Sequence, residues 1–350
     1  MSTDTTNSRK SEVIDLIRGD PQVDRQRNYF DRLHLRHRAL PELDLDAIDP
    51  SLAFMGKRLS FPLLISSMTG GADDRLRKIN RNLAIAAEAA GVALGVGSQR
   101  VTFVHPDAAE SFELRTYAPH AVLLSNLGAV QLNYGFGPDE CRAAVDMLGA
   151  DGLFLHLNPL QEAVQPEGNR NFAGLAGRIG EVARALPVPV ILKEVGAGLS
   201  PEDAELAYAQ GIRHLDVAGC GGTSWSQIEN HRHPPHLQED IGLRFQDWGI
   251  PTPLALRRLA PFRERGVTLL ASGGLRTGLD MIKSLALGAT VCGMAKPFLE
   301  PAMESPDRVL DVIARLKREF TTALFLLGIP TSADLIGRTN VLLSEDGGIP

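Results

Sequence analysis

The chain has 350 residues, 44% of them hydrophobic and 22% charged, with a formal net charge of −6. That balance suits a soluble globular protein with a sizeable core and gives no electrostatic ground for nucleic-acid binding. Domains usually run ~100–200 residues and an α/β barrel reaches ~250, so one large unit or two ordinary ones both fit.

The longest apolar run near the C-terminus, 323–329, falls far short of the ~20 residues of a membrane helix. The N-terminal stretch MSTDTTNSRK has no apolar signal-peptide core. Three widely spaced cysteines, Cys141, Cys220 and Cys292, argue against a disulfide framework and read as core residues. The cytoplasm is the expected compartment.

Residues 1–60 read as a polar, proline-punctuated arm. Eight short apolar, β-branched runs follow, at 61–66, 92–97, 121–125, 152–157, 188–193, 214–218, 267–271 and 290–294. Near-continuous apolar strands are what a parallel sheet buried on both faces requires. Helical periodicity lies between them. Ile79, Leu83, Ala86 and Ala90 recur at three and four before Gly91, a fitting residue to end a helix. Leu279, Ile282, Leu285 and Ala286 do the same before Gly288. Val309, Val312, Ile313, Leu316, Phe320 and Leu324 form one stripe of a closing helix within 301–350. Eight strands alternating with helices over about 240 residues predict an α/β fold, a (β/α)8 TIM barrel over 61–300. The rival is a doubly wound open sheet, which seldom reaches eight such regular units.

Small and polar residues gather where these strands end. Ser67-Met68-Thr69-Gly70-Gly71 closes the first, Ser98-Gln99-Arg100 the second and Asn126 the third. His156, Asn158, Gln161 and Glu162 mark the fourth, Lys193-Glu194 the fifth and 219–223 the sixth. Ser272-Gly273-Gly274 and Ala295-Lys296 end the last two. In a parallel barrel all of these converge on the C-terminal rim, where barrel enzymes build their sites. Gly273-Gly274 and Ala295 fall where barrels hold a phosphate, since glycine lets backbone N–H groups approach an anion. Lys193 ends an apolar strand, so its ammonium needs an anion; a bound negative group or an ion pair with Glu194 would serve. Glu162 suits magnesium only with phosphate oxygens completing the coordination, and on its own reads as a solvated surface group. The segment His231-Arg232-His233-Pro234-Pro235-His236 looks metal-like but reads better as an exposed loop. No GxSxG, P-loop or HExxH motif is present.

Together these segments resemble type 2 isopentenyl-diphosphate isomerase, the flavin-dependent form. The likeness runs through Arg9-Lys10, PLLISSMTGG (62–71), GVGSQR (95–100), SNLGAVQL (125–132) and HLNPLQEAVQPEG (156–168). It continues through LKEVGAGLS (192–200), DVAGCGGTSW (216–225), ASGGLRTGLD (271–280) and ALGATVCGMAKPFL (286–299). The resemblance implies FMN, Mg²⁺, NAD(P)H as reductant, and interconversion of isopentenyl and dimethylallyl diphosphate for isoprenoid biosynthesis. Ser67, Met68, Thr69, Ser98, Asn126, Lys193 and Thr223 would contact the flavin, with the backbone of Gly273, Gly274 and Ala295. Arg276 and Lys296, beside these loops, complete the expected cofactor set. Arg9, Lys10, Ser98, Gln99, Arg100, His156, Asn158 and Gln161 would surround the substrate, with Glu162 on the metal. Gln161, Lys193, His156 and Asn158 are the expected catalytic group. A homotetramer or octamer is implied, with no membrane or nucleic-acid partner. The chain departs from the family at Val13, where a histidine is expected.

Two alternatives stand beside this. An FMN-dependent 2-hydroxy-acid oxidase needs a histidine before the Gly-Gly after strand six, and here Cys220 precedes Gly221-Gly222. A non-catalytic flavoprotein would have no use for Arg100, His156, Asn158, Gln161 and Glu162 together. Nothing resembles a GxGxxG nicotinamide domain, and no Cys–carboxylate pair suggests the type 1 isomerase.

Overall fold

The eight apolar runs are eight parallel strands closed on themselves. They are β4 (Leu63–Ile65), β5 (Ala93–Gly95), β6 (Leu123–Gly128), β7 (Gly152–Leu157), β8 (Val190–Glu194), β9 (His214–Asp216), β10 (Thr268–Ala271) and β11 (Val291–Met294). Each pairs with its sequence neighbour, and β11 returns to β4 to complete the barrel. The computed structural model describes residues 5–25, 27–68, 70–232 and 240–344, with the side chains of 5–9, 11 and 344 excepted. The open-sheet rival is excluded by the closure.

Inside the barrel, Leu64, Ala93, Val122, Leu124, Phe154, Ile191, Leu270 and Val291 form one buried cluster. The floor is sealed by a hairpin of β2 (Leu52–Phe54) and β3 (Lys57–Leu59), whose Phe54 and Leu59 join that cluster. Its two-residue turn, Met55-Gly56, has positive φ at both positions, the twist that matches right-handed strands. Lys57 fixes it to the strand starts, 2.7 Å from Asp151 and donating to Ala121 O at 3.0 Å.

The main core lies outside the barrel wall. The helix Asp74–Ala90 is capped by Asp73, ends on left-handed Gly91 as expected, and buries Ile79, Leu83 and Ala86. Pro306–Leu327 buries Val309, Ile313, Leu316, Phe320 and Leu324, so the closing-helix stripe is correct. In Gly278–Ala286 the pattern holds at Ile282, Leu285 and Ala286, but Leu279 is 45% exposed. It sits in the first turn, facing away from the barrel side that its three partners share.

The arm is more structured than its composition suggests. It begins with a helix, Thr5–Gly19, and buries Ile14, Phe30, Leu33, Ile48, Phe54 and Leu59. Its strand β1 (Leu33–Leu35) pairs antiparallel with β12 (Leu342–Ser344) at the other end of the chain. Among the described residues no helix is long and apolar enough to cross a membrane. All three cysteines are buried and free.

Candidate active site

At the C-terminal ends of the strands the barrel opens into a cavity of about 330 Å³. Ser67, Met68, Ser98, Arg100, Asn126, His156, Asn158, Gln161, Glu162, Lys193 and Thr223 line it. So do Gly273, Gly274, Arg276, Ala295, Lys296 and, from the arm helix, Lys10. Seventeen of the twenty expected site residues thus meet in one place. Thr69 and the Arg9 side chain lie outside the described residues. Gln99 turns away: its Nε2 donates to Ala144 O at 2.9 Å, and its Oε1 accepts from Ser125 Oγ and from Asn126 N. It braces the barrel wall behind the cavity instead of facing a ligand.

The glycine pair is built as a cradle. Gly273 and Gly274 have φ of 89° and 87°, and a Cβ on Gly273 would lie 2.1 Å from Gly219 O. A Cβ on Gly222 would meet Gly274 N at 2.8 Å, so the loops after β9 and β10 touch backbone to backbone. Only glycine permits this approach, and it leaves amides exposed to an anion.

Lys193 is the cation at the cavity floor, its side chain 8% exposed. Its ion pair is with Asp216, 2.7 Å away and fully buried, and it donates to Ser272 Oγ at 2.9 Å. The alternative of an ion pair with Glu194 is therefore not realised. Successive residues of a strand point to opposite faces, so Glu194 turns outward as Lys193 turns inward. There one Glu194 oxygen accepts the N–H groups of Val195, Gly196, Ala197 and Gly198, bending the loop after β8. Burial still outweighs those four donors and lifts this carboxyl to about 7.

Asn126 orients His156. Its Nδ2 donates to Ser67 Oγ at 2.9 Å and Val96 O at 3.1 Å, leaving Oδ1 to accept from His156 Nδ1 at 2.8 Å. The ring proton thus sits on Nδ1. Burial pushes the imidazole down to about 4, and the charges of Lys193, Arg100 and Lys10 add to the effect.

Glu162 is buried, not a solvated surface group. Its carboxylate accepts from Asn158 Nδ2 at 2.9 Å and from Asn169 N. Asn158 also donates to Gln161 Oε1, while its own buried Oδ1 has no partner among the described residues. An unmet amide oxygen beside a carboxylate offers two oxygen donors to a hard cation. Among the described residues no three His, Cys, Asp or Glu side chains converge as a metal cluster, so phosphate oxygens or water would have to complete such a site.

Sequence reasoning missed several groups. Gln161 Nε2 donates to Glu229 at 2.7 Å, and Glu229, fully buried, pairs with Arg232 at 2.6 Å. Glu229 sits mid-helix in Trp225–His231 with no spacing to mark it. Asp216 did carry a signal, a carboxylate closing an apolar strand. The expected exposed loop at 231–236 begins as structure: His231 ends that helix and the Arg232 side chain is only 15% exposed. Residues His233 to His236 lie outside the described residues. Val13 lines the cavity and packs with Val23 and Ile228, an apolar contact at the position where a histidine was expected.

A parallel barrel with a glycine cradle after its seventh strand and a buried lysine at its floor has the form of an enzyme barrel with an anion-fitting rim. The family model described as FMN-dependent dehydrogenase matches residues 163–342. A solved flavocytochrome b2 with sulfite bound aligns with TM-score 0.67 over 96% of this chain and 83% of its own, at 17% identity. A mandelate oxidase variant with an FMN monooxide adduct aligns with TM-score 0.61, at 18% identity over 96% and 92%. Those likenesses show the fold alone. A protein of Paracoccus zeaxanthinifaciens named isopentenyl-diphosphate delta-isomerase is 53% identical over 95% of this chain and 96% of its own. The same-named protein of Hydrogenovibrio crunogenus is 51% identical over 96% and 97%. This chain belongs to the isopentenyl-diphosphate delta-isomerase family, on an FMN-dependent barrel.

Proposed function

We propose that this enzyme interconverts isopentenyl and dimethylallyl diphosphate on reduced FMN, as a step of isoprenoid biosynthesis. The observation that carries the reading is the pairing, within one cavity, of a glycine cradle with a second polar group at Arg100, His156, Asn158, Gln161 and Glu162. A flavin alone needs the first; only a second anionic ligand gives the other group a purpose.

FMN fits the residues present. Gly273, Gly274 and Ala295 would hold its phosphate, with Arg276 and Lys296 beside them, while Ser67, Met68, Asn126 and Thr223 face the rest. Lys193 has three donors and uses two on Asp216 and Ser272, which leaves one for an anionic ring. When bound and reduced, FMN would supply an acidic N–H and an electron-rich face, which suits a double-bond shift that involves no net oxidation. Mg²⁺ fits Glu162 and the unmet Asn158 oxygen, with diphosphate completing its shell.

The protein's own part is placement and charge. Lys10 and Arg100 draw in the diphosphate, and its negative charge offsets the positive neighbours that help keep His156 neutral, so His156 takes up a proton and becomes a donor to it. Binding energy spent on that remote group positions the alkene for reaction. Gln161, held between Asn158 and Glu229, presents a fixed amide to the reacting carbons. The apolar wall of Val13, Ile14 and Ile17 excludes water from the hydrocarbon end. We place the enzyme in the cytoplasm as a homo-oligomer, with NAD(P)H as reductant at the open rim.

The test is anaerobic incubation with isopentenyl diphosphate, Mg²⁺ and FMN, with and without dithionite, measuring dimethylallyl diphosphate. Product is expected only with reduced flavin. No product from verified reduced holoenzyme would refute the reaction, and flavin reduction by added hydroxy acids would favour the oxidase instead. Glu162→Gln is expected to lose most magnesium-dependent turnover while FMN binding survives; an unchanged magnesium dependence would remove Glu162 from the metal.

A further inference from the structure

The two cations beside the glycine cradle are not left to solvent. Arg276 Nη2 reaches one oxygen of Asp24, and Lys296 Nζ lies 2.9 Å from the other. Both cations line the cavity, each with about a third of its side chain exposed, whereas Asp24 is more deeply buried. Two long cationic side chains close together repel each other and have large rotamer freedom. A shared carboxylate offsets the repulsion and fixes both in one arrangement.

Asp24 does not belong to the barrel. It lies in the arm, one short turn, Pro21–Val23, after the helix that brings Lys10, Val13, Ile14 and Ile17 into the same cavity. The backbone around it is stitched to the loop after β9: Ser224 N donates to Val23 O at 2.7 Å and Arg25 N to Gly222 O at 3.1 Å. A Cβ on Gly221 would lie 3.0 Å from Asn28, and one on Gly222 would meet Gly274 N. Arm, β9 loop and glycine cradle are thus three backbones in direct contact, and Asp24 carries charge from the arm to the cations beside the cradle.

We propose that Asp24 is the positioning residue of the cofactor-phosphate site, and that through it the arm helix responds to whether that phosphate is bound. It has no contact of its own to make with the phosphate. It holds Arg276 and Lys296 ready for a dianion, so the ordering cost is already met before the cofactor arrives. In return, cations fixed by both phosphate and Asp24 hold the arm against the rim. This rests on the reading that FMN sits with its phosphate at Gly273 and Gly274.

The test compares FMN with riboflavin, which has the same ring and no phosphate, on the full chain. Dissociation constants are read by flavin fluorescence quenching for wild type, Asp24→Asn and Asp24→Glu. Amide exchange across residues 12–25 is read with each flavin bound. Asp24→Asn is expected to weaken FMN roughly tenfold and leave riboflavin unchanged, with Asp24→Glu recovering part of the loss. In wild type FMN should slow arm exchange more than riboflavin does, and in Asp24→Asn the two should be equal.

Equal weakening of both flavins would make Asp24 merely structural and overturn the proposal. Tighter FMN binding by Asp24→Asn would make it an electrostatic rival of the phosphate and overturn it too. If wild type itself did not distinguish FMN from riboflavin, the phosphate site would be misplaced and the proposal would fall with it. Should Asp24→Asn fold poorly, a background carrying both Arg276→Gln and Lys296→Gln decides. There Asp24→Glu should no longer alter the FMN-to-riboflavin ratio, and a ratio that still moved would overturn the coupling.

Discussion

The two ends of the barrel solve opposite problems with the same strands. At the N-terminal end Phe54 and Leu59 plug the opening, and the charges there, Lys57, Asp151 and Arg115, remain at the edge, partly in water. At the C-terminal end Lys193, Asp216, His156, Glu162 and Glu229 are all buried or nearly so, each held by a specific partner. One end gains stability from apolar area. The other holds charge out of water and is tolerable only while every partner stays in place.

That contrast is sharpest at Asp216. Asp216→Asn leaves the buried Lys193 ammonium without its counter-charge and is expected to cost about 3–5 kcal/mol, alongside loss of activity. Urea unfolding at neutral pH measures it; a loss near that of a surface pair would mean Lys193 reaches solvent. Phe54→Ala at the opposite end is expected to cost about 3–5 kcal/mol as well, through a cavity in the floor. The folded fraction of that variant should keep wild-type FMN affinity. Reduced affinity would show that the two ends are mechanically linked.

His156 gives a third difference. In the native site its imidazole is depressed from 6.5 to about 4, so on acidification the unfolded chain binds its proton first. Stability present above pH 6.5 is lost as pH falls toward 4, by up to about 3 kcal/mol from this group. His156→Gln should flatten that part of the urea-midpoint profile, and an unchanged slope would place the acid sensitivity elsewhere. Smallest of all, Lys57→Ala should cost no more than about 1 kcal/mol, because its pair with Asp151 is partly solvated. Thermal melts resolve this against Asp216→Asn.

The barrel was legible because strands buried on both faces leave uninterrupted apolar runs, and all eight were found. The site was legible for a related reason: Lys193 and His156 are polar residues in segments that are otherwise apolar, a mark that Asp216 also carries and that went unread. Glu229 and Asp24 left no such mark. One lies in a short helix whose residues Ser226 to Asn230 are all buried and the other in an arm rich in charge, and each meets the site through partners far away in sequence, Gln161 for Glu229 and Arg276 and Lys296 for Asp24. The hairpin of β2 and β3 was missed because three-residue strands give too few positions for alternation to show, although Met55-Gly56 hinted at the turn. Leu279 went the other way. Spacing alone assigned it to the core, but in the first turn it faces away from the barrel and stays nearly half exposed.

The pairing of β1 with β12 has a consequence for synthesis. The register sets Leu33 against Ser344 and Leu35 against Leu342, so a strand made before the barrel waits for one made after it. Contacts this distant along the chain form late, since they close the largest loop. A nascent chain with all eight barrel strands already emerged still lacks that clasp. The outer part of the arm is therefore secured only after β12 has left the ribosome, which makes its docking a step that follows emergence of the whole barrel.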